Sequence, residues 1–330
     1  MVGDKLKKAL IVGIGNFKEM ALEGAINDAN VVATTLGTNG DGSPNFDVKI
    51  ITDMETEVTK SSLKGLIRSL FEGEHETALF YFSGHGYLND IGGYIVTSDC
   101  KPNDEGISMD EILTLANNSK IKNRIIILDC CRSGKFGSSN LIDEKSTIIK
   151  NGVTILTASK DTENAVEING QGLFTSLLLQ ALRGGASDLR GEITPGSVYA
   201  YIDQALGPWS QRPVFKTNVS EFISLRSINP PIPISTLRKI ADYFSSPEEY
   251  FALDPSYEDT NTKEINHKVM APYANHKNVA VFKDLQKMQS VGLVVPVDAD
   301  FMYFAAMDSK SCRLTALGYH YWNLVKNKKI

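Results

Sequence analysis

A thiol and an imidazole are the groups in this sequence best placed to do covalent chemistry. His85 lies in Ser83-Gly84-His85-Gly86, and two cysteines lie in Asp129-Cys130-Cys131-Arg132-Ser133-Gly134. His85 precedes Cys131 by 46 residues. A neutral thiol is a poor nucleophile, and a neighbouring imidazole can supply the thiolate. Each motif closes an apolar run, Ala78 to Phe82 and Ile125 to Leu128. Such runs suit strands buried on both faces of a parallel sheet. Sites in open α/β sheets gather at the carboxyl ends of strands, so the two groups are placed to meet.

The two cysteines compete for the nucleophile's role. Side chains alternate along an extended chain, so Asp129 and Cys131 share a side and Cys130 points away. Cys131 also lies nearer the Gly134 turn, where backbone amides are freed. Cys131 is therefore the expected nucleophile and Cys130 a packing residue. A lone cysteine is most often just a buried apolar side chain. The second motif at a second strand end argues against that here.

The SGHG and DCCRSG motifs resemble those of the caspase-like cysteine peptidases, in particular the metacaspase and bacterial caspase-homologue branch. The interval between His and Cys agrees with the spacing known for caspases. Residues 8 to about 222 fit that family element by element. The resemblance implies a His85–Cys131 dyad, with the amides of Gly86 and Cys131 as the oxyanion hole. It also places Asp28 and Asp129 where metacaspases carry the acids of their specificity pocket, which selects Arg or Lys. Caspases themselves carry Gln at the position of Asp129. The plainer alternatives are a solvated helix-face charge for Asp28 and a loop-bonding strand-end carboxylate for Asp129. Caspase-like enzymes are often cut in the segment after the nucleophile. Residues 135–151 form a long connection, and Lys145, near its middle, is the candidate self-cleavage site. Some metacaspases need calcium, but no acidic cluster matches such a site, so no cofactor and no metal are expected.

Elements must position these groups. Ala9–Gly13, Val48–Ile51, Ala78–Phe82, Tyr94–Thr97, Arg124–Leu128, Gly152–Ala158 and an edge strand at Pro213–Lys216 read as strands. Glu23–Leu36, Ser61–Phe71, Ser108–Ala116, Leu173–Leu182 and Val198–Ala205 read as helices. Ser108 with Glu111 three residues on has capping-box spacing. The alternation predicts a parallel sheet covered on both faces, and the resemblance implies the caspase-like fold, a three-layer α/β/α sandwich with a mostly parallel central sheet. The Gly13-Ile14-Gly15 turn lacks the third glycine of a dinucleotide fingerprint.

Three prolines in Ser227–Ser235 read as a stiff linker. They divide a peptidase domain at 1–228 from a small α+β domain at 229–330. In the latter, Thr236–Phe244, Val279–Val291 and Ala316–Val325 read as helices. LVVPV, FMYFAAM and CRLT within Gly292–Thr315 alternate as a hairpin would. The order resembles a winged-helix module. Tyr303, Phe304, Tyr319, Tyr321 and Trp322 are expected in its core. Residues 230–330 carry 12 Lys and Arg against 11 Asp and Glu. A winged helix that grips DNA is usually clearly basic, so nucleic acid is not the expected partner. A regulatory or sensor role is expected, with an activating protein or small signal molecule as its ligand.

The chain has 330 residues, 42% of them hydrophobic and 22% charged, and a net charge of −5, as ordinary globular proteins do. No apolar run approaches a membrane span, and four cysteines, two of them adjacent, make no disulfide framework. A cytoplasmic enzyme acting on proteins or peptides is expected, without membrane partners. The resemblance suggests regulated proteolysis in bacterial defence or cell death. The alternative is a catalytically silent scaffold working through protein, small-ligand or DNA binding by its C-terminal domain.

Overall fold

A computed structural model of the chain describes residues 7–17, 21–90, 92–130, 148–158, 167–168, 170–207, 213–263 and 269–330. The chain divides into two compact units between Asn229 and Pro230.

The first unit begins with β1 (Lys7–Gly13), α1 (Glu23–Gly37), β2 (Phe46–Thr52), α2 (Lys60–Phe71) and β3 (Thr77–Ser83). Three short strands follow, β4 (Gly86–Leu88), β5 (Gly93–Lys101) and β6 (Asp104–Ser108), then α3 (Met109–Asn118), β7 (Asn123–Asp129) and β8 (Val153–Thr157). After these come β9 (Glu167–Ile168), β10 (Gln171–Gly172), α4 (Leu173–Gln180), β11 (Glu192–Ile193), α5 (Pro195–Leu206), β12 (Val214–Asn218) and β13 (Arg226–Ser227). The central sheet runs β12-β8-β7-β3-β1-β2. Its members are parallel except β12, which pairs antiparallel at the edge.

The alternation of the strands builds two cores. Leu10, Val12, Phe80, Phe82, Ile126 and Leu128 pack with residues of α2 and α3. Ala9, Ile11, Leu79, Tyr81, Ile125 and Ile127 pack with α1, α4 and α5. Every residue of β3 is buried, as a central strand of a covered parallel sheet requires. This is the expected caspase-like α/β/α sandwich.

Some local expectations are corrected. Ser108 does precede α3, but its side chain makes no capping bond. Glu111 instead pairs with Lys64 of α2 at 2.5 Å, so an interhelical ion pair takes the place of the capping box. The strand read at Tyr94–Thr97 extends over Gly93–Lys101 and is the middle of a separate antiparallel sheet, β4-β5-β6. The helix read to Leu182 leaves α-geometry after Gln180 and continues as a π-helical turn.

Arg124, the second residue of β7, is a buried staple. Its guanidinium donates to the carbonyls of Ala116 (3.0 Å), Ile121 (2.6 Å), Lys122 (2.8 Å) and Asn151 (2.9 Å). Gly152 closes over it with φ +86°, and a Cβ there would stand 1.9 Å from the Lys122 carbonyl oxygen and 2.6 Å from Arg124 Nη1. Gly152→Ala therefore combines left-handed strain with a backbone clash. It is expected to cost about 3 kcal/mol or more, read as a lowered urea midpoint. A loss below about 1 kcal/mol would show that the staple yields without cost.

The second unit contains α6 (Ile234–Arg238), α7 (Ile240–Tyr243), β14 (Tyr250–Ala252), α8 (His276–Ser290), β15 (Val294–Val297), α9 (Met302–Met307), β16 (Ser311–Leu314) and α10 (Ala316–Lys326). Its antiparallel sheet runs β14-β16-β15. The single helix expected over Thr236–Phe244 is two short ones. The expected hairpin exists as β15 with β16, but FMYFAAM between them is helix, not strand. Met302, Ala305, Ala306 and Met307 are buried, the first three at helical spacing. An apolar residue at nearly every position hid that period. The aromatic expectation is corrected too. Phe301 (62% exposed), Tyr303 and Phe304 form an exposed cluster, and Tyr319 is also exposed. Tyr321 is buried, and the indole of Trp322 donates to the Phe244 carbonyl at 2.7 Å. Among the described residues no helix is long and apolar enough to cross a membrane.

Candidate active site

β3 and β7 are parallel neighbours in register, with Ser83 opposite Asp129. The Gly84 amide donates to the Asp129 carbonyl at 3.3 Å, which locks the two strand ends together. His85 follows at once on β3. Its ring is half-buried and meets the edge of Phe17 at 4.8 Å between centroids. Gly84 has to be glycine, since a Cβ would lie 2.8 Å from the Ile14 carbonyl oxygen and 2.8 Å from the Phe82 ring. On β7 the chain passes Asp129 to Cys130, the last described residue before position 148. Cys130 is 5% exposed and packs in the core of the α2–α3 face, as the alternation argument expects. Cys131 and Lys145 lie outside the described residues.

Gly86 opens β4, an edge strand. The Val96 amide donates to the His85 carbonyl at 2.9 Å, and the register puts Gly86 opposite Ile95. Narrow and wide pairs alternate in an antiparallel ladder, so Gly86 with Ile95 is the non-hydrogen-bonded pair. The Gly86 N–H therefore faces away from β5.

Asp28 and Asp129 converge on one point. Asp28, on α1, is 2% exposed and accepts a hydrogen bond from the Gly172 amide at 3.1 Å. Ser83 Oγ lies 3.5 Å from the same oxygen, Asp28 Oδ2. A Cβ on Gly172 would sit 3.0 Å from Asp129 Oδ2 and 3.1 Å from Asp28 Oδ2. Two carboxylates from elements a hundred residues apart thus flank one glycine at the start of α4. A helix amino terminus favours negative charge, which offsets part of the repulsion between them. The plain reading of Asp28 as a solvated helix-face charge does not hold.

Asp129 is half-buried and accepts from Thr175 Oγ1 at 2.6 Å. Thr175 Oγ1 in turn lies 2.6 Å from the hydroxyl of the fully buried Tyr81. Burial pushes the Asp129 carboxyl up to about 6, and its hydrogen bonds with Thr175 hold it from rising further. Burial, and then the charges of Asp129 and Asp28, push the Tyr81 phenol well above its ordinary range.

Gly172, Thr175 and Tyr81 were not singled out in the sequence. One signal was available. Tyr81 places a hydroxyl inside an otherwise apolar run, two residues from Ser83 and hence on the same face. Asp53 is another missed strand-end acid. Its carboxylate accepts the amides of Gly15 (3.1 Å) and Asn16 (2.8 Å), so the glycine turn after β1 spends its donors internally. A cavity of about 550 Å³ lies at the opposite, amino-terminal end of β7 and β8, around Arg124, away from this site. Among the described residues no cluster of His, Cys, Asp and Glu could hold a metal ion.

A comparison with protein families matches residues 6–221 to the caspase domain. The chain belongs to the caspase-domain family. The matched span includes His85, Asp28 and Asp129. Among solved structures, caspase-1 from Spodoptera frugiperda is similar at 14% identity and a TM-score of 0.50, covering 68% of this chain and 92% of the other. A structural-genomics target protein from Geobacter sulfurreducens aligns at 14% identity and a TM-score of 0.49, covering 68% of this chain and 98% of the other. No curated protein matches the sequence. The caspase domain is that of cysteine peptidases, hydrolases that act on proteins.

Proposed function

We propose that this caspase-family chain is a cysteine endopeptidase of the metacaspase type that cleaves after Arg or Lys. His85 takes the proton of the Cys131 thiol, and the thiolate attacks the scissile carbonyl. The amides of Gly86 and Cys131 stabilise the oxyanion, the outward N–H of Gly86 being the supporting feature. The imidazolium then protonates the leaving amine, and water activated by His85 hydrolyses the thioester. The observation that carries the specificity is the convergence of Asp28 and Asp129 on Gly172. Paired carboxylates in a desolvated site repel a substrate aspartate and attract a guanidinium or ammonium.

Residues 229–330 act in this proposal as a winged-helix-like regulatory module of a bacterial defence enzyme. The exposed Phe301–Tyr303–Phe304 cluster and the near-neutral charge favour docking of a protein over DNA. The loop 135–151, with Lys145 near its middle, is the proposed self-cleavage segment.

A panel of fluorogenic peptides ending in Arg, Lys or Asp, with and without cell extract, tests the reading. Turnover of the Arg and Lys members, at least tenfold above the Asp member, is expected. Preferential release from the Asp member would overturn the pocket assignment. No turnover under any condition would favour a silent scaffold.

A further inference from the structure

The hydrogen bonds behind Asp129 have a fixed direction. An ionised carboxylate only accepts, so the single proton of the Thr175 hydroxyl is committed to Asp129 Oδ2. Tyr81, 2.6 Å from Thr175 Oγ1, must then donate to it. A buried chain runs from Tyr81 through Thr175 to Asp129, crossing from β3 to α4 to β7. Each donation polarises the next and strengthens it. Other groups face Asp129 as well. β3 sets Ser83 opposite Asp129 with His85 two residues beyond, and Asp28 of α1 flanks the same Gly172 position, its carboxylate holding the Gly172 amide and the Ser83 hydroxyl. The Thr175 hydroxyl is a donor that favours the charged form of Asp129.

We propose that Thr175, backed by Tyr81, is a positioning residue for substrate selection: it fixes the orientation of the Asp129 carboxylate and keeps it charged, so that basic side chains are accepted near neutral pH. The proposal rests on the reading of Asp28 and Asp129 as the specificity pocket. Neither hydroxyl touches substrate; both act through Asp129.

Two measurements on the full chain test it, and they fail separately. The first follows Asp129 by carboxyl carbon NMR in protein labelled at aspartate, with Asp129→Asn giving the assignment. The second is the pH profile of kcat/KM on an Arg peptide. The acid limb of the wild type is expected near the Asp129 value of about 6. Thr175→Val is expected to raise both the Asp129 titration and this limb by about one pH unit, a roughly tenfold change in ionisation. Thr175→Ser should restore both. Tyr81→Phe should shift them in the same direction by less, and the double variant no further than Thr175→Val alone. The rate of Cys131 alkylation against pH should not move. An unchanged Asp129 titration in Thr175→Val overturns the proposal whatever the pocket does. A shifted titration with an unmoved Arg-peptide limb overturns the pocket reading and the role in selection with it. A shift that persists in Thr175→Ser shows that packing, not the hydroxyl, is responsible. Should Thr175→Val fail to fold, Tyr81→Phe carries the test by the same two readings.

Discussion

Replacing Cys131 or His85 by Ala is expected to lower turnover of an Arg peptide by several orders of magnitude, and the double variant should be little worse than either single one. Residues that act as one unit lose their whole contribution when either is removed. The same substitution one position earlier should behave differently. Cys130 is buried among aliphatic and aromatic side chains of the α2–α3 face. Cys130→Ala should remove a small apolar contact, cost roughly 1 kcal/mol of stability and leave most activity. A dead Cys130→Ala beside an active Cys131→Ala would reverse the alternation argument for β7. The supporting geometry is the register of Ser83 with Asp129, which sends both strand ends out of the sheet side by side.

The second large effect concerns the paired acids. Asp129→Asn and Asp28→Asn should each weaken turnover of Arg peptides by about 30-fold or more, since removing one member of a buried charge pair costs roughly 2–5 kcal/mol. Asp129→Asn should also make the protein more stable at neutral pH. Its carboxyl titrates at about 6 in the folded chain, against 3.8 for the ordinary group. A raised carboxyl binds its proton more tightly when folded, so the wild type gains stability from this group as pH falls through 6. Above that, the buried charge costs on the order of 1–3 kcal/mol, discounted for the exposure that Asp129 retains. The gain from Asp129→Asn should therefore be full above pH 6 and vanish toward pH 4. Thermal melts of the two proteins across this range measure it. A less stable Asp129→Asn at pH 7.5 would show that the charge is a structural requirement of the α4 terminus and not a cost borne for binding.

The strands of the central sheet were legible because burial on both faces leaves unbroken apolar runs, and the ends of two of them carried His85 and Asp129. Asp28 was legible through the resemblance, while the helical spacing of α1 alone left it readable as a solvated helix-face charge. The β4-β5-β6 sheet was not. Gly86–Leu88 is too short to show a period, and Asp104–Ser108 (DEGIS) is too polar to read as a strand. The α9 helix was mistaken for a strand because its apolar residues occupy the exposed side as well. The chain of Tyr81, Thr175 and Asp129 leaves no local pattern, since its members lie 46 and 94 residues apart and meet only through the sheet and α4. Gly172 matters for the space its missing side chain leaves between two carboxylates, which no sequence spacing records.

The full chain is treated with a thiol-reactive peptide probe ending in Arg, beside the same probe ending in Asp, and the modified residue is located by peptide mass mapping. A single adduct on Cys131 is expected, formed with the Arg probe and absent in His85→Ala. An adduct on Cys130, or labelling by the Asp probe in preference to the Arg probe, would contradict this expectation.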